Sequence, residues 1–304
     1  MPGRVGLCVG GLSTTFALGP KPFPSPITRS CVASPILRRR LCLAGPVAAA
    51  ILVVMTVKET RARSILTRTR IPGIDYCLNP YTGCSHACRY CYATFMTKYS
   101  GHDEPWGTWV DAKVNAPELL KKALRRARTG EVVLSSVTDP YQSAEKRYRL
   151  TRTCLELLAM SSLRVSILTK SDLVTRDIDI LKTMQNVEVG LTVTTDDEQI
   201  RRIFEPGSAS IARRIAALKA LKQAGIPRYV FIGPVLPMDA EHLAAMIAPL
   251  ADHVLIDRLN YAWKVRPVYE THGLNHALDP SFFEAAETRL IEGLNRHGIP
   301  VRLV

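Results

Sequence analysis

Six short runs rich in β-branched residues recur along the chain, and each is followed by a stretch of helical period. This alternation restricts the fold to repeated β/α units around a parallel sheet. The strand-like runs are residues 74–78, 131–136, 164–169, 187–194, 228–232 and 253–257. The helical stretches are 116–128, 149–160, 176–184, 211–224, 240–250 and 280–297. Asn115 and Asp239 stand where they can cap the first and fifth helices, and Gly225 where the fourth should stop. Such sheets bind ligands at the carboxyl ends of their strands. The chemistry is therefore expected in the junctions after the strands.

The first junction reads Asn79-Pro80-Tyr81-Thr82-Gly83-Cys84-Ser85-His86-Ala87-Cys88-Arg89-Tyr90-Cys91-Tyr92. Its three cysteines are too crowded for long-range disulfides and read as a metal site in a reducing, cytoplasmic compartment. Cys-x3-Cys-x2-Cys supplies one thiolate fewer than a closed zinc site or an ordinary four-cysteine cluster, which leaves one iron open. A zinc site and a plain electron-transfer cluster are the competing readings. Gly83 lets the chain turn tightly into the loop. His86 could serve as a fourth ligand, but a lone histidine here is expected to face solvent. Cys77 and Cys154 sit in apolar settings and are expected to be inert buried thiols.

The spacing, with the aromatic Tyr90 before the last cysteine, resembles the radical S-adenosylmethionine superfamily. Residues 79–92, 136–141 and 168–172, together with Glu205-Pro206-Gly207 and the helix after it, resemble its spore photoproduct lyase-like branch. The resemblance runs from residue 57 to about residue 260. It implies an α/β fold, a partial (β/α)6 TIM-type barrel, with one [4Fe-4S] cluster on Cys84, Cys88 and Cys91. It further implies S-adenosylmethionine, cleaved reductively to a 5'-deoxyadenosyl radical that abstracts hydrogen from an unidentified substrate, and a reductant such as flavodoxin or ferredoxin.

Residue by residue, the resemblance puts Ser136 near the methionyl part of the cofactor and Lys170 at its carboxylate. Thr192 and Thr194 share one parity, either toward the ribose or as plain strand formers. Arg214 pairs with Glu205, with the cofactor, or in a surface salt bridge. Tyr90 and Tyr92 match tyrosines of a radical relay. Asp139, in Thr138-Asp139-Pro140-Tyr141, is either a substrate contact or the cap of a turn.

Two other functions compete: repair of DNA photoproducts, and a non-catalytic iron-sulfur or zinc-binding protein. Against repair, the lyases place a hydrogen-donating cysteine just before the position matched by Ser136, and here it is Ser135. An O–H bond is too strong to replace S–H as a hydrogen-atom donor. The segment from about residue 261 carries Trp263, Arg266, Tyr269 and His272, which either stack on bases or cover the barrel mouth.

The net charge of +13 allows a nucleic-acid partner without requiring one, because it is unevenly placed. Residues 1–54 hold six Arg or Lys and no acid, so +7 remains for residues 55–304. The first forty residues show no sustained period, and the apolar run after Arg38-Arg39-Arg40 is short of the roughly 20 residues that span a bilayer. No membrane segment is expected. Residues 1–54 are expected to be an unstructured or non-native extension of an upstream start, with Met55 as the initiator and a single core domain over 55–304.

Overall fold

The computed structural model describes residues 55–304. The expectation for residues 1–54 therefore lies outside the described residues. The strands are β1 (Thr56–Thr60), β2 (Leu66–Arg68), β3 (Tyr76–Leu78), β4 (Tyr81–Thr82), β5 (Trp109–Lys113), β6 (Glu131–Leu134), β7 (Arg164–Thr169), β8 (Val187–Thr192), β9 (Arg228–Ile232), β10 (His253–Ile256) and β11 (Val301–Leu303). The larger sheet has the order β2-β3-β6-β7-β8-β9-β10-β11. All neighbours in it are parallel except β2, which runs antiparallel to β3.

Strands β3 and β6 to β10 are the six read from the sequence, and helices separate them. The fold is the expected α/β partial (β/α)6 barrel, extended by β2 at one edge and β11 at the other. No helix among the described residues is long and apolar enough to cross a membrane.

Side-chain parity explains why these strands hold a cavity. Val132, Leu134, Val165, Ile167, Val189, Leu191, Val230, Ile232, Val254 and Ile256 are buried in one cluster with the flanking helices. Alternate residues point to the opposite face. They include Ser166, Gly190, Thr192, Tyr229 and Phe231, which are smaller, polar or aromatic. Tyr229 stacks on His253 with ring centroids 5.2 Å apart. Its ring fills the space beside Gly190, where a Cβ would stand 2.3 Å from it. The barrel is thus plugged at this level and open only above it.

The helices begin and end differently from expectation in places. Asp239 caps Ala240–Ile247 through the amides of Glu241 and His242. Asn115 does not cap Ala116–Leu124. Its amide instead brackets Ala62, accepting from the backbone nitrogen at 2.8 Å and donating to the carbonyl at 2.9 Å. Gly225 adopts φ 73° just past Ile211–Gln223, as a helix stop requires.

A second, three-stranded sheet of order β1-β5-β4 was not visible in the sequence. Strand β4 runs directly into Gly83 and Cys84, so this sheet sets the entry of the cysteine loop. Its floor is Trp109, fully buried, with the His102 ring stacked on it at 4.0 Å. The same imidazole lies 3.1 Å from Glu104 Oε2 and 3.0 Å from Asp111 Oδ1. Burial works against its charge, yet the hydrogen bonds to Asp111 and Glu104 prevail and its pKa is raised.

A raised folded-state pKa means that the stabilisation is fully present below the ordinary histidine value, about 6.5, and is lost as pH climbs through the folded value. Urea unfolding of wild type and His102→Phe should therefore differ most near about pH 6 and less by about pH 8.5. A gap that does not change with pH would remove the imidazolium from the account.

Candidate functional site: a three-cysteine loop at the barrel mouth

The cysteine loop has little regular structure and is held by its neighbours. At Gly83 the backbone takes φ 77°, and a Cβ would stand 2.5 Å from the Trp109 carbonyl oxygen. Only glycine fits there. Gln142, wholly buried, donates to the Gly83 carbonyl at 3.2 Å and accepts from the Ser85 amide at 2.9 Å. Thr138 also donates to the Gly83 carbonyl. From the other side, Gly207 approaches so closely that a Cβ would stand 2.1 Å from the Ser85 carbonyl oxygen.

His86 is buried, not solvent-facing as expected. A carbonyl can only accept, so its Nδ1 donates to Gly207 at 3.1 Å, while Nε2 faces Asp139 at 3.1 Å. Asp139 in turn accepts from Thr169 Oγ1 at 2.7 Å and from the amides of Tyr141 at 2.8 Å and Lys170 at 2.9 Å. Burial would raise its pKa, but His86 and these donors outweigh it and hold the carboxyl at about 2. The turn is thus more than a cap. It clamps the cysteine loop to the ends of β6 and β7, and Tyr141 is buried beneath it.

Cys84, Cys88 and Cys91 share one cavity of about 360 Å³ with Ser136, Lys170 and Thr192. Tyr90, Tyr92 and Asp139 line it as well. Burial pushes the Cys88 thiol up to about 12 and raises Cys84 and Cys91, so without iron all three favour the protonated form. Lys170 lies over the Tyr90 ring at 5.6 Å. Burial alone would lower its pKa, but Glu205 and Asp139 oppose that and favour the charged ammonium. The Tyr92 hydroxyl donates to the Ser136 carbonyl.

Thr194 and Arg214 do not reach the cavity wall; they converge on Glu205 behind it. Glu205 and Arg214 form an ion pair with both side chains wholly buried. Glu205 also accepts from the Tyr90 hydroxyl and from Thr194 Oγ1 at 3.0 Å. Arg214 donates to the carbonyls of Thr192 at 2.9 Å and Ala209 at 3.0 Å. A surface salt bridge, one of the readings from sequence, is excluded by this burial. The pair is continuous with Tyr90 and the end of β8, and so stiffens the wall that Thr192 presents.

A profile described as the Radical SAM superfamily matches residues 78–248, more than half of the chain. An uncharacterised protein of Methanocaldococcus jannaschii is 40% identical over 204 residues, covering 66% of this chain and 77% of that one. An uncharacterised protein of Mycobacterium tuberculosis is 37% identical over 186 residues, covering 58% of this chain and 55% of its own length. The chain belongs to the radical SAM superfamily.

Radical SAM enzymes use a [4Fe-4S] cluster with S-adenosylmethionine. Among solved structures, a spore photoproduct lyase complexed with dinucleoside spore photoproduct superposes with a TM-score of 0.62 at 14% identity, over 82% of each chain. At that identity the likeness shows the fold alone.

The sequence carries no signal for Gln142 and Trp109, which touch the loop from outside the motif, whereas Gly207 lies in the Glu205-Pro206-Gly207 run. Of the segment expected either to stack on bases or to cover the barrel mouth, Tyr269 is not free to stack. Tyr269 is wholly buried, 4.7 Å from the Phe204 ring.

Breaking the buried pair leaves an unpaired charge in the wall. Arg214→Ala should cost about 3–5 kcal/mol of stability. Arg214→Lys should recover only part of it, because an ammonium cannot also span the Thr192 and Ala209 carbonyls. Chemical denaturation of the iron-free protein measures both, and a loss below about 1 kcal/mol for Arg214→Ala would contradict the role assigned to the pair.

Proposed function

We propose that the chain binds a [4Fe-4S] cluster on Cys84, Cys88 and Cys91 and reductively cleaves S-adenosylmethionine to act on a still unidentified substrate. The observation that carries this reading is the convergence of three thiols and one lysine on a single cavity at the carboxyl ends of the strands. The donor set fits the cluster. Among the described residues no three His, Cys, Asp or Glu side chains gather as they would around a single metal ion. A cubane takes one thiolate per corner, so its three cysteines need not converge on a point. When bound, cluster and cofactor supply a 5'-deoxyadenosyl radical.

The chain's own residues do the rest. Lys170 offers a charged donor to the cofactor carboxylate, and its ammonium is already held in place by Tyr90. Ser136 and Thr192 present hydroxyls on the adjoining wall. Tyr90 and Tyr92 flank the last cysteine, and Asp139 acts through His86 on the loop that carries the thiols. Thr194 and Arg214 support the wall through Glu205. A low-potential protein such as flavodoxin or ferredoxin delivers the electron.

Anaerobic reconstitution followed by dithionite and S-adenosylmethionine tests this directly. Wild type should release 5'-deoxyadenosine. Any one of Cys84→Ala, Cys88→Ala or Cys91→Ala should lose most bound iron and all release, whereas Cys77→Ala and Cys154→Ala should keep both. Lys170→Ala should keep its iron but bind the cofactor roughly 10- to 100-fold more weakly. Full cleavage activity in Cys88→Ala would refute the assignment.

A nucleic-acid substrate is a second reading, favoured by the rim of the cavity. Tyr92, Phe95, Tyr99, Tyr261 and Trp263 are all exposed, and Lys264 Nζ lies 5.0 Å from the Tyr261 ring and 5.6 Å from that of Trp263. Exposed rings beside a cation suit unstacked bases. Single-stranded oligonucleotides should then bind with a steep salt dependence, and Trp263→Ala should weaken binding by about 1–3 kcal/mol. Absence of binding at low salt removes this reading. Repair of the spore photoproduct is not part of it, because Ser135 offers no thiol.

A further inference from the structure

The excess positive charge of residues 55–304 is not spread evenly. Residues 61–71 hold four arginines and no acid, and residues 116–129 hold five Lys or Arg against one acid, Glu118. Together the two segments carry +8, whereas residues 55–304 as a whole carry +7, so all the rest nets −1. The fold brings the two segments side by side. The edge strand β2 packs against the helix Ala116–Leu124. The Asn115 amide brackets Ala62 just before that helix, and Arg61 reaches Glu118 at 3.7 Å.

All nine of these cations are exposed, and among the described residues only Arg61 has a carboxylate partner. The acids next to the patch are engaged elsewhere. Asp75 accepts from the Glu131 amide at 2.8 Å, and Glu131 faces Arg164 at 3.9 Å. Arg68 lies over the Tyr76 ring at 5.5 Å, a contact that leaves its N–H donors free. An edge strand needs some charge to keep it from pairing with another chain, and cations near the end of a helix suit its dipole. Neither accounts for so many cations of one sign on two elements. Lys121 with Arg125, and Lys122 with Arg126, stand about one helical turn apart, where like charges repel. A surface that serves solubility alone mixes its signs. Unpaired cations packed this closely are what a polyanion neutralises.

Where the face leads decides which polyanion it suits. Arg70 is followed by Ile71, which is exposed yet lines the cysteine cavity. Tyr92 and Tyr261, on the wall of the same cavity, are exposed as well. An acidic protein would satisfy the cations but has no use for exposed rings, whereas a nucleic acid offers both a charged backbone and bases that stack. We propose that the face formed by β2, its flanking arginines and the helix Ala116–Leu124 holds the phosphate backbone of a single-stranded nucleic acid, with its bases directed past Ile71 to the cavity. This rests on the nucleic-acid reading of the rim. Seven of the nine cations are arginines, whose planar forks pair with phosphate oxygens two at a time.

Fluorescence anisotropy of a labelled single-stranded DNA of about 20 nucleotides, titrated with the full chain between about 50 and 200 mM salt, tests this. Lys121→Gln, Arg125→Gln and Arg126→Gln together should weaken binding roughly 10- to 100-fold at the low-salt end. They should also flatten the salt dependence by about 2 in slope, because each lost contact to a single strand removes about 0.7. Arg63→Gln with Arg70→Gln should act in the same direction from the other segment. A control with the same loss of net charge, Arg202→Gln, Lys219→Gln and Arg296→Gln together, should bind like wild type. Bound iron after reconstitution should be equal in all of them.

A wild-type slope in both face variants, or an equal loss in the control, overturns the proposal. So does displacement of the oligonucleotide by poly-L-glutamate at equal charge, which would assign the face to an acidic protein. The rim is read separately, because Trp263→Ala should weaken binding while leaving the salt slope unchanged. Weakening in Trp263→Ala with no change in the face variants keeps the rim and removes the face. Absence of binding by wild type at low salt removes both.

Discussion

The carboxylate of Asp139 is the contact on which the site depends, because one side chain joins segments far apart in sequence. It takes hydrogen bonds from the end of β7 through Thr169 and Lys170 and from its own turn through Tyr141, and it faces His86 in the cysteine loop. His86 passes the connection on to Gly207, and Gly207 N–H returns it to the His86 carbonyl at 3.0 Å. A loop of small and polar residues cannot order itself by burial, since ordering backbone costs about 1–2 kcal/mol per residue. Here the order comes from buried polar contacts that tie the loop to three other segments.

Glu205 repeats the arrangement on the opposite wall. Burial opposes its ionisation, yet Arg214 and Lys170 hold it at about 2, the same value as Asp139. Both carboxyls thus lie below their ordinary range near 4. They contribute stability at any pH above about 4 and lose it only as pH falls toward about 2. The acid side of the stability curve is therefore set in part at the site itself. The basic side is set in part by His102, whose contribution runs in the other direction.

What the sequence disclosed follows from periodicity. Parallel strands buried on both faces read as apolar runs, so all six were legible, with ends displaced by at most two residues, as at Tyr76 and Thr192. The β1-β5-β4 sheet was not legible, because a strand such as Thr-Val-Lys-Glu-Thr is short, charged and mostly exposed. The thiols announced themselves by spacing. Gln142 did not, because it holds their loop across 57 residues, and the Glu205-Pro206-Gly207 run gave no hint that Gly207 would press on Ser85. Asn115 shows the same limit. A capping residue at the right place in sequence was drawn instead to Ala62 by a tertiary contact.

The cavity also has a direction. Its base is blocked by Tyr229 beside Gly190 and by Phe231, whose ring would overlap a Cβ at Gly233 by standing 2.3 Å away. Entry is therefore from the carboxyl ends of the strands, past Tyr92 and Tyr261. Of the two carboxylates on the wall, Asp139 has its acceptors engaged, while Asp257 at the outer end is bonded by a single side chain, Asn260, at 3.0 Å. Burial raises the Asp257 pKa, and among the described residues no cation pairs with it. Unused polar capacity thus lies at the thiol end, on Lys170, and again at the outer end, on Asp257.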